Sequence, residues 1–174
     1  MARVWSIVFG FVIASFWSSS AAAFEDKLAL GAGAGYALSP SIEPAHGVAL
    51  DVQAGLGLSQ TWQLRAGGTF GMHPHPADEL YSAALRAELL YLIDIVDVVP
   101  FAGVGIAGIA LFGDNPLDVE PAAHVAVGAA YWLSFDWLLQ LDVRAHVMPF
   151  AEVDSERDWL YLVSTLSVVL ALDP

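Results

Sequence analysis

Apolar and polar residues alternate with a period of two through most of the chain after residue 23. Trp137–Met148 shows this most clearly, because Gln140, Asp142, Arg144 and His146 take alternate positions. Successive side chains of a β-strand point to opposite faces, so this segment has one apolar face and one charged face. A soluble sandwich buries its apolar face, whereas a membrane barrel turns it toward lipid and keeps charges in its lumen. Taken alone, the segment fits both architectures.

Eight segments with this alternation are predicted to be strands. They are Lys27–Ser39, Gly47–Ser59, Thr61–His73, Leu80–Ile93, Val99–Phe112, Ala122–Leu133, Asp136–Met148 and Trp159–Leu172. Each is long enough to cross a bilayer as a tilted strand, which takes ~9–11 residues. Spanning helices fit poorly after residue 23, because the longest stretch there without an acidic or basic residue, Val98–Gly113, is shorter than ~20 residues and contains Pro100.

The predicted links between these strands alternate in length. The short links lie near Ser59–Thr61, Asp94–Val98 and Ser134–Asp136, and the longer polar ones at Pro40–His46, Pro74–Glu79, Gly113–Pro121 and Pro149–Asp158. Outer-membrane barrels have short periplasmic turns and longer extracellular loops. Aromatic residues flank both sets of links and avoid the strand centres, as in the two aromatic belts at lipid–water interfaces. We therefore predict an all-β fold, an eight-stranded antiparallel up-and-down transmembrane β-barrel.

The first 23 residues are predicted to be a secretory signal peptide, which leaves 24–174 as the barrel domain. Arg3 supplies the positive start, Val4–Trp17 the apolar stretch, and Ser18–Ala23 a small-residue cleavage region that ends in A-x-A form. An uncleaved membrane anchor is the alternative. The apolar stretch is short for it, since a spanning helix needs ~20 residues.

The run Val99-Pro100-Phe101-Ala102-Gly103-Val104-Gly105 matches the proline–aromatic–x–Gly–x–Gly start of a central strand in one family. Together with the layout of Phe24–Pro174, it resembles the small eight-stranded outer-membrane barrels of the OmpA/OmpX type. The resemblance implies a monomer in the bacterial outer membrane, surrounded by its lipid and lipopolysaccharide. Such barrels usually end in an aromatic residue, whereas this chain ends Ala171-Leu172-Asp173-Pro174. Either the insertion signal is unusual or the chain is assembled differently.

Composition narrows the possible partners. The chain has 19 acidic and 6 basic residues and a formal net charge of −13, which argues against nucleic acid as a partner, because binding it relies on basic surface. The absence of cysteine excludes disulfides and thiolate metal sites. Many acidic residues fall in the predicted longer links. There they either bind Ca²⁺ or Mg²⁺ against lipopolysaccharide phosphates or form a solvated edge, and we prefer the solvated edge.

Strand phase predicts that six charged side chains point into the lumen at similar heights: Asp51, Arg65, Arg86, Glu88, Asp142 and Arg144. A hairpin centred near Ala77 would place Arg65 and Arg86 close to opposite each other, within reach of Glu88. Glycines in the same phase leave room for long arginines: Gly31, Gly33, Gly35, Gly103 and Gly105. The charges form either a salt-bridge network that fills the lumen or a filter in a narrow pore. The interior of an eight-stranded barrel is nearly filled by side chains, which favours the network.

Two further inward residues, His124 and His146, become cross-strand neighbours if a hairpin is centred near Phe135. They either share a metal ion or a proton, or simply line the lumen, which is the interpretation we prefer. A lipid deacylase of this architecture would carry serine where Ala126 and Met148 stand. We therefore predict no catalytic, cofactor or metal site, and a structural, adhesive or envelope-stabilising role. The alternative is a porin-like narrow channel that passes ions or small solutes.

Overall fold

The computed structural model describes residues 24–39, 45–74, 79–93, 97–112, 118–149 and 160–173. These residues form eight strands, which are β1 Leu28–Ser39, β2 Ala45–Gly57, β3 Trp62–Pro74, β4 Glu79–Leu92, β5 Val98–Phe112, β6 Asp118–Trp132, β7 Trp137–Val147 and β8 Leu160–Leu172. Each strand pairs antiparallel with the next, and β8 pairs with β1 to close a barrel. The predicted fold class is confirmed. Within the described ranges, no helix is long and apolar enough to cross a membrane.

The strand bounds agree closely with the predicted ones except at the start of β6. We predicted a start at Ala122, whereas the β5–β6 ladder continues back to Asp118 and includes Pro121 opposite Gly108. Proline usually interrupts a ladder because it has no N–H to donate. Pro121 is exposed on the outer face of the wall.

The predicted alternation of link lengths is wrong for three of the four longer links. By the strand bounds, links 40–44, 75–78 and 113–117 are about as short as links 58–61, 93–97 and 133–136, while link 148–159 is clearly longer. The strands extend further into the polar segments than their prolines suggested. The signal-peptide prediction for 1–23 and most acidic residues of the longer links lie outside the described residues.

The alternation of the barrel wall follows the predicted phase. Along β7, Trp137, Leu139, Leu141 and Val143 are exposed, and the residues between them are buried. Aromatic pairs lie near both ends of the barrel, with ring centroids 5.2 Å apart for Trp62 and Tyr91 and 5.8 Å apart for Tyr81 and Phe112. The outer surface is therefore an apolar band with aromatic residues toward each end.

The interior is layered. We call the end where β1 begins and β8 finishes the terminal end. The lower apolar layer lies toward it and consists of Phe24, Ala29, Leu90, Leu92, Val99, Phe101, Ala126, Ala130, Leu138, Val169 and Ala171. The upper apolar layer lies toward the other end and consists of Ala37, Ala49, Ala84, Ile109, Ala122, Met148, Tyr161 and Val163. Buried polar side chains fill the lumen between these layers.

Candidate functional site: the charged lumen

Six charged side chains meet in the middle of the lumen and form one connected cluster, which we call the ionic layer. Its members are the predicted residues Asp51, Arg65, Arg86, Glu88, Asp142 and Arg144. Arg65 donates from Nε to Glu88 Oε1 at 2.7 Å and from Nη2 to Asp142 Oδ2 at 2.6 Å. Arg65 thus joins β3, β4 and β7 across the barrel.

The other two guanidinium groups complete the cluster. Both Nη atoms of Arg86 donate to the Asp51 carboxylate at 2.9 Å, and its Nε donates to Glu88 at 3.1 Å. Arg144 donates from Nη1 to Asp51 at 3.2 Å, and its Nη2 lies 3.0 Å from Asp142 Oδ2. Three cations are therefore balanced by three anions in a site from which water is almost excluded.

Strand register explains which residues meet. The β3–β4 ladder places Arg65 directly opposite Glu88, and Arg86 opposite Gly67 two positions further along. The two arginines are thus not quite opposite each other, but both reach Glu88 as predicted. Thr69 faces Asp51 across the β2–β3 ladder and donates to its Oδ1 at 2.6 Å. Thr69 was not predicted as a site residue, although its inward phase on β3 was the available signal.

The inward glycines lie close to side chains of the neighbouring strands. A Cβ added at Gly105 would lie 2.5 Å from His124 Cε1 and 2.7 Å from Glu88 Cβ. Gly67 makes room for Arg86, because a Cβ at Gly67 would lie 2.7 Å from Arg86 Nη2. Gly31 and Gly33 instead face Gln53 and Ser167. The atoms nearest to these β1 glycines therefore belong to Gln53, Val169, Leu166 and Ser167, and space for the arginines opposite them stays a prediction.

The histidine pair adjoins the ionic layer. His124 and His146 are cross-strand partners as predicted, with ring centroids 4.7 Å apart, and His124 Nε2 lies 3.1 Å from Glu88 Oε2. The part of the chain that the structure describes contains no group of three or more His, Asp or Glu placed to hold a metal ion. The geometry instead connects the pair to the carboxylate of Glu88.

A second hydrogen-bonded group lies beyond the histidine pair, on the side away from the terminal end. The ring of His146 lies 6.0 Å from that of Tyr161, and Tyr161 OH lies 2.8 Å from Ser82 Oγ. Ser82 Oγ in turn lies 3.2 Å from His73 Nε2. The inward phases of β3, β4 and β8 were a signal for these residues, but phase alone could not show that they form a chain.

Side chains fill the lumen below the ionic layer as well. A cavity of about 10 Å³ lies there, lined among others by Phe24, Phe101, Gln63 and Arg65. This volume corresponds to about one water molecule. The salt-bridge network thus occupies the middle of the described lumen, and the side chains below it leave a space of about one water molecule.

A closed eight-stranded barrel with an apolar outer face and a charged, filled interior has the architecture of small transmembrane β-barrels. The chain is structurally similar to Neisserial surface protein A, with a TM-score of 0.73, 16% identity, and coverage of 82% of this chain and 96% of that one. It is also similar to Ail, the attachment invasion locus protein of Yersinia pestis, with a TM-score of 0.59, 7% identity, and coverage of 85% of this chain and 99% of that one. The N-terminal β-barrel domain of Pseudomonas aeruginosa OprF matches with a TM-score of 0.56, 14% identity, and coverage of 85% of this chain and 98% of that one.

These similarities show a shared fold, that of small outer-membrane barrels. The chain covers almost the whole length of each of these structures, so the match extends over the complete barrel. No family model matches the sequence, and no curated protein matches it.

Proposed function

We propose that the chain is a monomeric, integral protein of the bacterial outer membrane, without enzymatic activity. In this proposal the closed barrel anchors surface loops. It either stabilises the cell envelope or attaches the cell to other surfaces. The observation that carries it is the reversed polarity of the wall. At mid-strand, the outward side chains of Leu85, Ile106 and Val104 are 76%, 70% and 62% exposed, while the ionic layer is buried inside.

The energetics of this reversed polarity support a lipid environment. Exposing apolar area to water costs about 25 cal/mol per Å², and the apolar residues here surround the whole barrel. Lipid around the barrel removes that cost, and the closed ladder satisfies the backbone N–H and C=O groups that lipid cannot. Outer-membrane lipid and lipopolysaccharide are thus the proposed surroundings. Binding of divalent cations at the acidic links stays a prediction.

The role of the barrel follows from its filled lumen. The ionic layer connects β2, β3, β4 and β7 across the interior, which stiffens the wall and leaves no path for a hydrated ion. One similar structure is a surface protein and another an attachment invasion locus protein by name. These names support a surface or adhesive role for the barrel rather than a transport role.

Three measurements test the proposal. The purified protein should require detergent, and its folded band should migrate differently before and after boiling in SDS. Reconstituted in planar bilayers, it should give no stepwise conductance. A protein that stays soluble without detergent and shows no band shift would refute the membrane location. Stepwise conductance that Arg86→Ala or Arg144→Ala alters would instead support the porin-like channel.

The envelope role needs a cellular measurement. Cells that lack the protein should take up a hydrophobic dye faster than cells that carry it, and the wild-type chain should restore the barrier. Binding of intact cells to host surfaces should be compared in the same strains. Equal dye uptake and equal binding with and without the protein would contradict both roles.

A further inference from the structure

Arg65 connects the ionic layer to the lower apolar layer. Its Nε and Nη2 atoms donate to Glu88 and Asp142, and its Cζ lies 5.2 Å from the centroid of the Phe101 ring. A guanidinium over an aromatic face at this distance is a favourable contact. The third nitrogen, Nη1, is buried and has no hydrogen-bond partner among the described residues.

A charged donor such as Nη1 is costly to bury without a partner. Folding removes the water that would otherwise accept its hydrogen bonds, and nothing replaces that loss. The guanidinium is planar and holds its N–H groups in a fixed fork. While Nε and Nη2 stay on the two carboxylates, Nη1 cannot turn toward the same oxygen atoms. Buried polar groups nearly always have a partner in the protein or in ordered water, so we expect one for Nη1.

A small cavity beside Arg65 has room for that partner. The cavity measures about 10 Å³, and Arg65 lines it together with the amide side chains of Gln53, Gln63 and Gln140. Gln53 Oε1 is also buried without a hydrogen-bond partner in the described part of the chain. The cavity wall therefore includes one residue with an unpartnered donor and one with an unpartnered acceptor.

Volume and charge identify the class of ligand. The cavity accommodates about one water molecule, which needs about two to four polar partners. A metal cation would lie against the positive guanidinium and needs about six oxygen ligands. An anion would add negative charge to an ionic layer in which three anions already balance three cations, and an uncompensated buried charge is costly. A neutral molecule that both donates and accepts meets all of these conditions.

We propose that Gln53 and Arg65 form an internal hydration site for one water molecule. The water accepts from Arg65 Nη1 and donates to Gln53 Oε1, so both buried atoms gain a partner. It also joins the ionic layer to the glutamine side chains below it, and apolar residues of the cavity wall, among them Phe24 and Leu138, surround it. The site lies inside the barrel, so the inference goes beyond the proposed function and does not depend on the membrane location.

A crystal structure of the wild-type protein, at a resolution that shows ordered water, tests the site directly. We expect a density peak within hydrogen-bond distance of both Gln53 Oε1 and Arg65 Nη1. An empty cavity, or a peak that contacts only one of the two atoms, would overturn the proposal. Crystals soaked in bromide should show no anomalous signal in the cavity. A bromide signal there would overturn the assignment to water in favour of an anion.

Stability gives an independent test, because the water reverses the sign of the expected change. Gln53→Met keeps the length of the side chain and removes the acceptor. If the water bridges the two atoms, this variant breaks the bridge and raises the unfolding equilibrium constant in urea by a factor of about 5–30. If Gln53 Oε1 has no partner, the same change removes an unsatisfied acceptor, and the constant should stay equal or fall. That second result would overturn the proposal.

Thr165→Val is the matched control. The Thr165 hydroxyl is buried and has no hydrogen-bond partner among the residues that the structure describes, but Thr165 does not line the cavity. We expect the unfolding equilibrium constant of this variant to stay equal or fall. An increase as large as that of Gln53→Met would show that the loss is not specific to the cavity and would overturn the role of Gln53. If Gln53→Met does not fold, Gln53→Leu gives the same comparison.

Discussion

Replacement of Glu88 by glutamine should strongly destabilise the barrel, because Glu88 is the anion that the largest number of cations share. Its Oε1 accepts from Arg65 Nε at 2.7 Å and from Arg86 Nε at 3.1 Å, and lies 3.8 Å from Arg144 Nε. Glu88→Gln keeps the shape of the side chain but leaves three guanidinium groups with two carboxylates. Removing one partner of a buried ion pair costs about 3–5 kcal/mol, which is a factor of about 100 to 1,000 or more in the folding equilibrium.

Reversible urea unfolding in lipid vesicles, followed by tryptophan fluorescence, measures this loss. With an m-value of about 1–3 kcal/mol/M, the unfolding midpoint should fall by at least about 1 M. Glu25→Gln removes an exposed carboxylate near the terminal end and should leave the midpoint unchanged. Adding Arg65→Met to Glu88→Gln restores the balance of charges and should recover part of the loss. If Glu88→Gln lowers the free energy of unfolding by less than about 1 kcal/mol, or if the double variant recovers none of that free energy, the reasoning from charge balance is refuted.

Three further predictions concern the wall and the terminal end. Gly105→Ala should cost about 1–3 kcal/mol of unfolding free energy, because its Cβ would meet His124 and Glu88. The Cβ of Gly108→Ala points into open space, so this control should be neutral or stabilising by up to about 1 kcal/mol in the same urea titration. Leu85→Arg should cost about 2–4 kcal/mol in a bilayer. A change within about 0.5 kcal/mol, as at a water-exposed surface, would contradict the lipid-facing assignment. Lys27→Ala should change the unfolding midpoint little, because its ion pair with Asp173 spans 3.5 Å and Asp173 is 82% exposed.

The sequence was sufficient for the strands and for their inward and outward faces. The period of two arises within each strand from its own backbone, so it can be read without knowing the neighbouring strands. The same reasoning placed Asp51, Arg65, Arg86, Glu88, Asp142 and Arg144 inside the barrel. It failed at Pro121 and at the lengths of three links, where a ladder with its neighbour extends a strand past residues that are poor strand formers on their own.

The assignment of partners in the lumen depended on the closed barrel. Arg65 pairs with Asp142, 77 positions away in the chain, and Arg144 pairs with Asp51, 93 positions away. Strand phase can show that such residues share an interior. It cannot show which of them touch, because that depends on the width of the barrel and on the register of every ladder between them.

The alternating pattern of Trp137–Met148 therefore determined, by itself, that one face of the strand is apolar and the other charged. Closure of the eight ladders decided that the charged face points inward, where Asp142 and Arg144 join the ionic layer. Tertiary structure alone placed Phe24 in the lumen and connected His73, Ser82 and Tyr161 to the histidine pair. The physical reason is the range of the interactions, since a strand sets its own period locally, whereas contacts across a lumen exist only after the wall has closed.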